Sequence, residues 1–458
     1  MNQLPDLLNQ CRNYFNKGET RSYGWRLSRL KKLRTALLAH ETAIYQALWS
    51  DLNKSREEVW ITETGFVLTE INQAIRSLGD WMRPQRKSTN LLNLPSVSKV
   101  YREPLGTVLI IGPWNYPLQL LLTPLVGALA AGNTVVLKPS EFAPATAGVM
   151  KSIIADAFEP AEVLIVEGDG SVVVPAMMEA FVFDHIFYTG STAVGRIVYQ
   201  LAAKNLVPVT LELGGKSPCV IEADANINVA AKRIMMTKFS NAGQMCVAPD
   251  YVLVHSSVKE GFLAACKQAL KVYFGEDASK SGEYGRIINE KQFDRLIKYL
   301  PGSSVIHGGK SDRATRYIEP TLLDGIPAGS ALLKDEIFGP LLPVITYNDR
   351  EEAREFIGQN PNPLAFYVFT SAGQNEKYWI DQVSFGGGCV NNAALHLTNH
   401  ELPFGGRGFS GTGRYHGKYS FETFSHLKAV MKTPTWFDPA MKYPPFKGKL
   451  NLFRRLIR

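Results

Sequence analysis

The chain has 458 residues, 45% hydrophobic and 20% charged, the composition of a soluble globular protein too long for a single hydrophobic core, so two or three domains are expected. The formal net charge is +8, but residues 441–458 carry Lys442, Lys447, Lys449, Arg454, Arg455 and Arg458 and no acid, leaving about +2 for the rest and excluding a broad nucleic-acid-binding face. Cys11, Cys219, Cys246, Cys266 and Cys389 are odd in number and widely spaced, which excludes a disulfide framework and points to a reducing, cytoplasmic compartment. The start of the chain lacks the basic flank and apolar run of a secretory signal.

Residues 1–85 read as helical. Leu30, Leu33 and Leu37 recur at helical spacing, and the basic run Arg29, Lys31, Lys32 and Arg34 fits a solvated helix face. After residues 83–90 break the pattern, an extended segment is expected over 97–103. From Leu105 the texture changes to short β-rich runs, 105–112, 134–140, 162–168, 184–191 and 208–215, separated by helix-length segments 118–131, 143–158, 171–180 and 192–203. Strand–helix alternation with nearly continuous apolar strands predicts a doubly wound parallel sheet, with ligands at the carboxyl ends of its strands. The very apolar run 117–137 is interrupted by Gln119, Pro124, Gly127, Gly132 and Asn133, so it reads as helix plus strand, not a membrane span. A second alternating block runs from 218 to 391. The glycine-dense stretch 402–420 is expected as a loop folded closely on something.

Several strand ends carry residues with chemistry. Thr189-Gly190-Ser191 through Gly195 follows a strand and opens a helix. There Gly190 permits close backbone approach, Ser191 can cap, and free amides attract an anion. Lys138 and Glu141 of the run Lys138-Pro-Ser140-Glu141 sit at another strand end and suit a sugar with two hydroxyls. Asn115, in a loop fixed by Pro113 and Pro117, offers a side-chain amide at a defined point. Glu212, between Leu211 and Leu213 and before two glycines, reads as a buried carboxylate of raised basicity. Taken alone, Cys246 fits a small buried hydrophobe. With Glu212 and Asn115 beside it, it becomes a candidate nucleophile for attack on a carbonyl, on a chain reversal that presents the thiol.

Together, PWNYP (113–117), VVLKPSE (135–141), FYTGS (187–191), LELGGKSP (211–218), NAGQMCVAPDY (241–251), EIFGP (336–340) and LPFGGRGFSGTGRYHGKYSFETFSH (402–426) resemble the aldehyde dehydrogenase superfamily, and the cysteine motif is similar to its class 3 branch of fatty, aromatic and apocarotenal aldehyde dehydrogenases. The resemblance implies an α/β fold with a Rossmann-type cofactor domain (1–85 and 104–211), an α/β catalytic domain (212–395), and strand-exchange segments that make homodimers (86–103 and 396–440). It implies Cys246 as nucleophile, Glu212 as general base, and Asn115 with the Cys246 backbone amide as oxyanion hole. Lys138, Ser140, Glu141, Thr189, Gly190, Ser191, Gly195, Leu213 and Gly214 match dinucleotide-binding positions, while Glu336 and Phe338 match those that hold the nicotinamide ribose and ring. NAD is the expected cofactor, with NADP also tolerated. No metal is expected.

The implied reaction oxidises an apolar aldehyde, long-chain, aromatic or apocarotenoid, to the acid; Tyr116 and Leu120 are the placeable substrate contacts. A CoA-acylating dehydrogenase would not require the water-activating base Glu212. A cysteine hydrolase would require a histidine beside Cys246, and a non-catalytic relative would not require Cys246, Glu212 and Asn115 together. The tail 441–458 departs from the apolar anchor helix of membrane-bound relatives. On a helix, Leu450, Leu452, Phe453, Leu456 and Ile457 span an arc of about 160°, with Asn451, Arg454, Arg455 and Arg458 opposite, a pattern that suits either a peripheral membrane contact or a face packed on the protein's own surface or a partner subunit.

Overall fold

The computed structural model describes residues 3–457, without the side chain of Leu456; the Arg458 expected on the polar side of the tail helix lies outside the described residues. The alternating region folds into a six-stranded sheet in the order Gly411–Thr412, Val209–Glu212, His185–Thr189, Thr107–Ile111, Thr134–Lys138, Val163–Ile165. All neighbours run parallel except the first pair. Chain order reverses between Thr107–Ile111 and His185–Thr189, the switch point at which an open α/β sheet forms its ligand crevice.

Both faces of this sheet are covered, which is why its strands are apolar throughout. Val108 and Ile110 face a core shared with Leu30, Leu37 and Leu78 of the amino-terminal helices, whereas Leu109 and Ile111 face Leu8, Cys11 and Met177. A second, seven-stranded sheet runs Ser304–His307, Thr321–Asp324, Leu341–Tyr347, Tyr251–His255, Pro218–Ile221, Ala365–Phe369, Gly387–Val390, with only its first pair antiparallel. A three-stranded antiparallel sheet, Gln85–Lys87, Val97–Pro104 and Ser425–Lys432, stands apart from both.

Three expectations need correction. The stretch 402–420 is not wholly a loop: Gly411–Thr412 joins the first sheet and Gly417 opens a short helix, Gly417–Thr423. A two-residue strand has no periodicity to read. Nor is the basic run at 29–34 uniformly solvated. Lys31 and Lys32 are exposed, but Arg29 pairs with the buried Glu162, which also accepts from Tyr14 at 2.8 Å. Finally, the tail helix is confined to Leu450–Leu456.

Candidate active site

The loops and strand ends singled out above converge at the carboxyl edge of the first sheet. Glu212 ends its strand, paired in register with Thr189 on one side and Gly411 on the other. Its carboxyl is buried, and neither oxygen has a hydrogen-bond partner. Burial alone raises its pKa well above the ordinary carboxylate range.

Cys246 follows a tightly held turn. Asn241 and Ala242 adopt left-handed backbone angles, φ +49° and +50°. Asn241 N donates to Glu58 Oε1 at 2.8 Å, and Gln244 Nε2 donates to the carbonyls of Asn241 and Arg286 at 2.9 and 3.0 Å. Gln244 Oε1 accepts from Ile288 N at 3.0 Å, so the turn is pinned from several sides. The thiol is half-buried rather than fully presented. Removal from water and the carboxyls of Glu336 and Glu212 push its pKa up to about 12, while the backbone N–H groups of Cys246 and Val247 pull it down. The thiol is therefore held neutral in this environment.

Asn115 is 2% exposed, and its Nδ2 donates to the Gln244 carbonyl at 3.0 Å. That bond uses one amide hydrogen and fixes the plane from which the other is directed. The adjacent Tyr116 and Leu120 are buried. Trp114 of the same loop meets Phe338 edge to face, with ring centroids 5.3 Å apart. This contact joins the Asn115 loop to the segment carrying Glu336.

The residues expected at the dinucleotide line the same edge. Lys138 Nζ lies 3.1 Å from Glu141 Oε2, Glu141 Oε1 accepts from Gly170 N at 3.0 Å, and Ser140 Oγ accepts from Phe142 N at 3.3 Å. Against desolvation, which would raise it, the backbone amides of Glu141 and Gly170, and after them Lys138, hold the Glu141 carboxyl below its usual range. Ser191 caps the helix Thr192–Ala203. A Cβ at Gly190 would come within 2.3 Å of Tyr188 Oη, one at Gly195 within 2.6 Å of Leu213 Cδ2, and one at Gly214 within 1.9 Å of Glu336 Oε2. The buried Thr189 Oγ1 has no partner. A glycine-lined cradle at a helix amino terminus, with a lysine–carboxylate pair beside it, fits a dinucleotide. Glu336 is half-buried, and desolvation with the nearby Asp250 raises its pKa to about 8. Asp250 is itself paired with Lys216 at 2.5 Å and accepts from Ile337 N, so it props up the 335–338 segment.

Asn241, Gln244, Asp250 and Trp114 lay inside the motifs already noted, but nothing in their identity announced what they hold. Lys54, Glu58 and Glu63 lay outside every motif and carried no signal in the sequence.

Residues 3–430 match the family described as the aldehyde dehydrogenase family. The chain is similar, at 44% identity covering all of both chains, to the 4,4'-diaponeurosporen-aldehyde dehydrogenase of Staphylococcus aureus. It is 41% identical to the dimeric NADP-preferring aldehyde dehydrogenase of Canis lupus familiaris, over 98% of this chain and all of that one. The substrate-bound structure of Staphylococcus aureus AldH superposes with a TM-score of 0.98 at 43% identity, covering both chains fully. With motif order, fold and site geometry in agreement, the chain belongs to the aldehyde dehydrogenase family and is an NAD(P)-dependent aldehyde dehydrogenase.

Proposed function

We propose that Cys246, Asn115 and Glu212 carry the oxidation of an apolar aldehyde, long-chain, aromatic or apocarotenoid, to its carboxylic acid. Cys246 Sγ attacks the aldehyde carbon, its proton passing to a neighbouring base, and a thiohemiacetal forms. The Asn115 amide and the Cys246 backbone N–H receive the charge that develops on oxygen. Removing one such donor typically costs about 10²–10³ in rate. Lys138, Ser140, Glu141, Thr189, Gly190, Ser191, Gly195, Leu213, Gly214, Glu336 and Phe338 would hold a nicotinamide dinucleotide, which when bound would supply the hydride acceptor. The resulting thioester on Cys246 is hydrolysed by a water that gives its proton to Glu212, releasing the acid and the thiol. The observation that carries this reading is the buried, unpartnered Glu212 carboxyl, which with Glu336 is close enough to Cys246 to raise the thiol's pKa.

Buried Tyr116 and Leu120 beside Asn115 favour apolar aldehydes, as does the likeness to a relative named for a diaponeurosporenal. In domain terms, 1–85 and 104–211 hold the cofactor, 212–395 carries the chemistry, and 86–103 with 396–440 bridge two subunits. The edge strand Gly387–Val390 and the largely exposed strand Ser425–Lys432 each have one free edge among the described residues, which supports a homodimer in which they pair.

Among the described residues no helix is long and apolar enough to cross a membrane. Peripheral attachment is supported by the tail. Leu450, Leu452 and Ile457 are exposed, and Leu452 and Ile457 share a groove with Leu91, Leu94, Trp436 and Lys442, in a segment that also carries Lys447, Lys449, Arg454 and Arg455. Absorbance at 340 nm with an aldehyde panel, NAD or NADP, and with or without CoA tests the function. Long apolar aldehydes should be preferred and CoA should change nothing; acyl-CoA formation would contradict it.

A further inference from the structure

A charged cluster outside every recognised motif sits directly behind the Asn115 loop. Lys54 Nζ lies 2.7 Å from Glu63 Oε1, and both side chains are fully buried. Lys54 Nζ also donates to the main-chain carbonyl of Asn115 at 3.1 Å, and Glu63 Oε2 accepts from the amides of Leu118 and Gln119 at 3.1 and 2.9 Å. The pair therefore holds the loop at its middle and at its exit into the helix Gln119–Ala131. Asn241, from the turn before Cys246, donates its Nδ2 to the same Asn115 carbonyl at 2.7 Å. Lys54 Nζ further stands 3.8 Å from the centroid of the Tyr116 ring.

The backbone is shaped to deliver Glu63. The helix widens to a π turn over Trp60–Thr64, closed by Gly65 N–H donating to Trp60 O. A Cβ on Gly65 would meet that oxygen at 2.6 Å. The extra residue lets Glu63 and Thr64 both point inward while Ile61 is 72% exposed. Single π turns of this kind recur at functional sites.

Stability is a poor account of such a pair, because two well-packed apolar residues would usually serve as well as a fully desolvated ion pair. Apolar residues could not hold a carbonyl and two amides of a catalytic loop. We propose that Lys54 and Glu63 are positioning residues for the oxyanion hole, holding the Asn115 amide where negative charge develops on the aldehyde oxygen. This rests on the reading of Asn115 as an oxyanion donor.

The test is a double-mutant cycle on the full-length enzyme, with kcat/KM, cofactor affinity and melting temperature measured for each variant. Asn115→Ala alone should lower kcat/KM by about 10²-fold or more. Lys54→Met should lower it by about 10–10²-fold, since small displacements of a positioned group have effects of that size, with cofactor affinity unchanged. In the Asn115→Ala background, Lys54→Met should change kcat/KM less than about twofold, because the group it positions is gone. Glu63→Gln keeps an acceptor for the two amides and provides the same cycle should Lys54→Met fail to fold. Equal losses in both backgrounds, or unchanged kcat/KM in every folded variant, would overturn the proposal. A near-normal Asn115→Ala enzyme would instead overturn the oxyanion reading beneath it.

Discussion

Gly411 lies directly opposite Glu212 in an antiparallel pair, closing the edge of the sheet over the strand that carries the carboxyl. A Cβ at Gly411 would come within 2.3 Å of Leu211 O, and its φ of +149° suits glycine. The glycine-dense segment thus folds on the Glu212 strand, and this cover helps keep that carboxyl from water. A carboxyl whose folded pKa is raised binds a proton that the unfolded chain has released. Its contribution to stability is present below the unfolded value, about 4.5, and is lost as pH rises toward the folded value. For Glu336 that window runs from about 4.5 to about 8, and for Glu212 the shift has the same sign. Glu336→Gln should therefore gain about 1–3 kcal/mol at pH 8 and little at pH 5, and Glu212→Gln should change in the same direction. Thermal melts at the two pH values check this; equal gains at both would contradict it.

Cys246→Ala should bind NAD with near-normal affinity, because no bond to the dinucleotide cradle involves the thiol. It should show no aldehyde oxidation. Fluorescence titration with NADH and a 340 nm assay measure the two properties, and turnover within about tenfold of the parent would end the covalent account.

Glu141 should make NAD the better cofactor, since its carboxylate can accept from two ribose hydroxyls and repels a 2′-phosphate. The Lys138 ammonium at 3.1 Å softens that repulsion, so preference rather than exclusion is expected. Glu141→Gln should shift the ratio of kcat/KM values toward NADP by about tenfold, roughly 1.4 kcal/mol. If the parent enzyme already uses NADP as well as NAD, Lys138 dominates the pair.

Deleting residues 441–458 should abolish sedimentation with anionic liposomes at low salt and leave activity on a small soluble aldehyde intact. Each cation near an anionic surface contributes about 1 kcal/mol, so added salt should release the full-length protein. Equal recovery of both proteins in the supernatant would make the tail a structural element.

Much of the site was legible because its residues sit where the chain turns out of a strand, and such turns carry local signals. Thr189–Gly195, Lys138–Glu141 and Glu212 were all read from strand ends, and the alternation around them implied the parallel sheet. What stayed hidden depends on contacts between distant segments. Lys54 and Glu63 are charged residues in a helical region, a pattern that usually means a solvated face; only folding reveals that a π turn aims one at the other. Gly411 offered no periodicity, since two residues make its strand. Arg29 read as surface charge because its partner Glu162 is 133 residues away.

The central claim is a thioester on Cys246 that Glu212 helps water to cleave. Rapid mixing of Glu212→Gln with a long-chain aldehyde and NAD, followed by acid quench and mass spectrometry, tests it most directly. The account predicts a burst of about one NADH per active site, then a stall, with the acyl group recovered on the peptide containing Cys246. Steady turnover with no acyl adduct, or no burst at all, would contradict it; the second result would put Glu212 ahead of hydride transfer, as the base that takes the thiol proton.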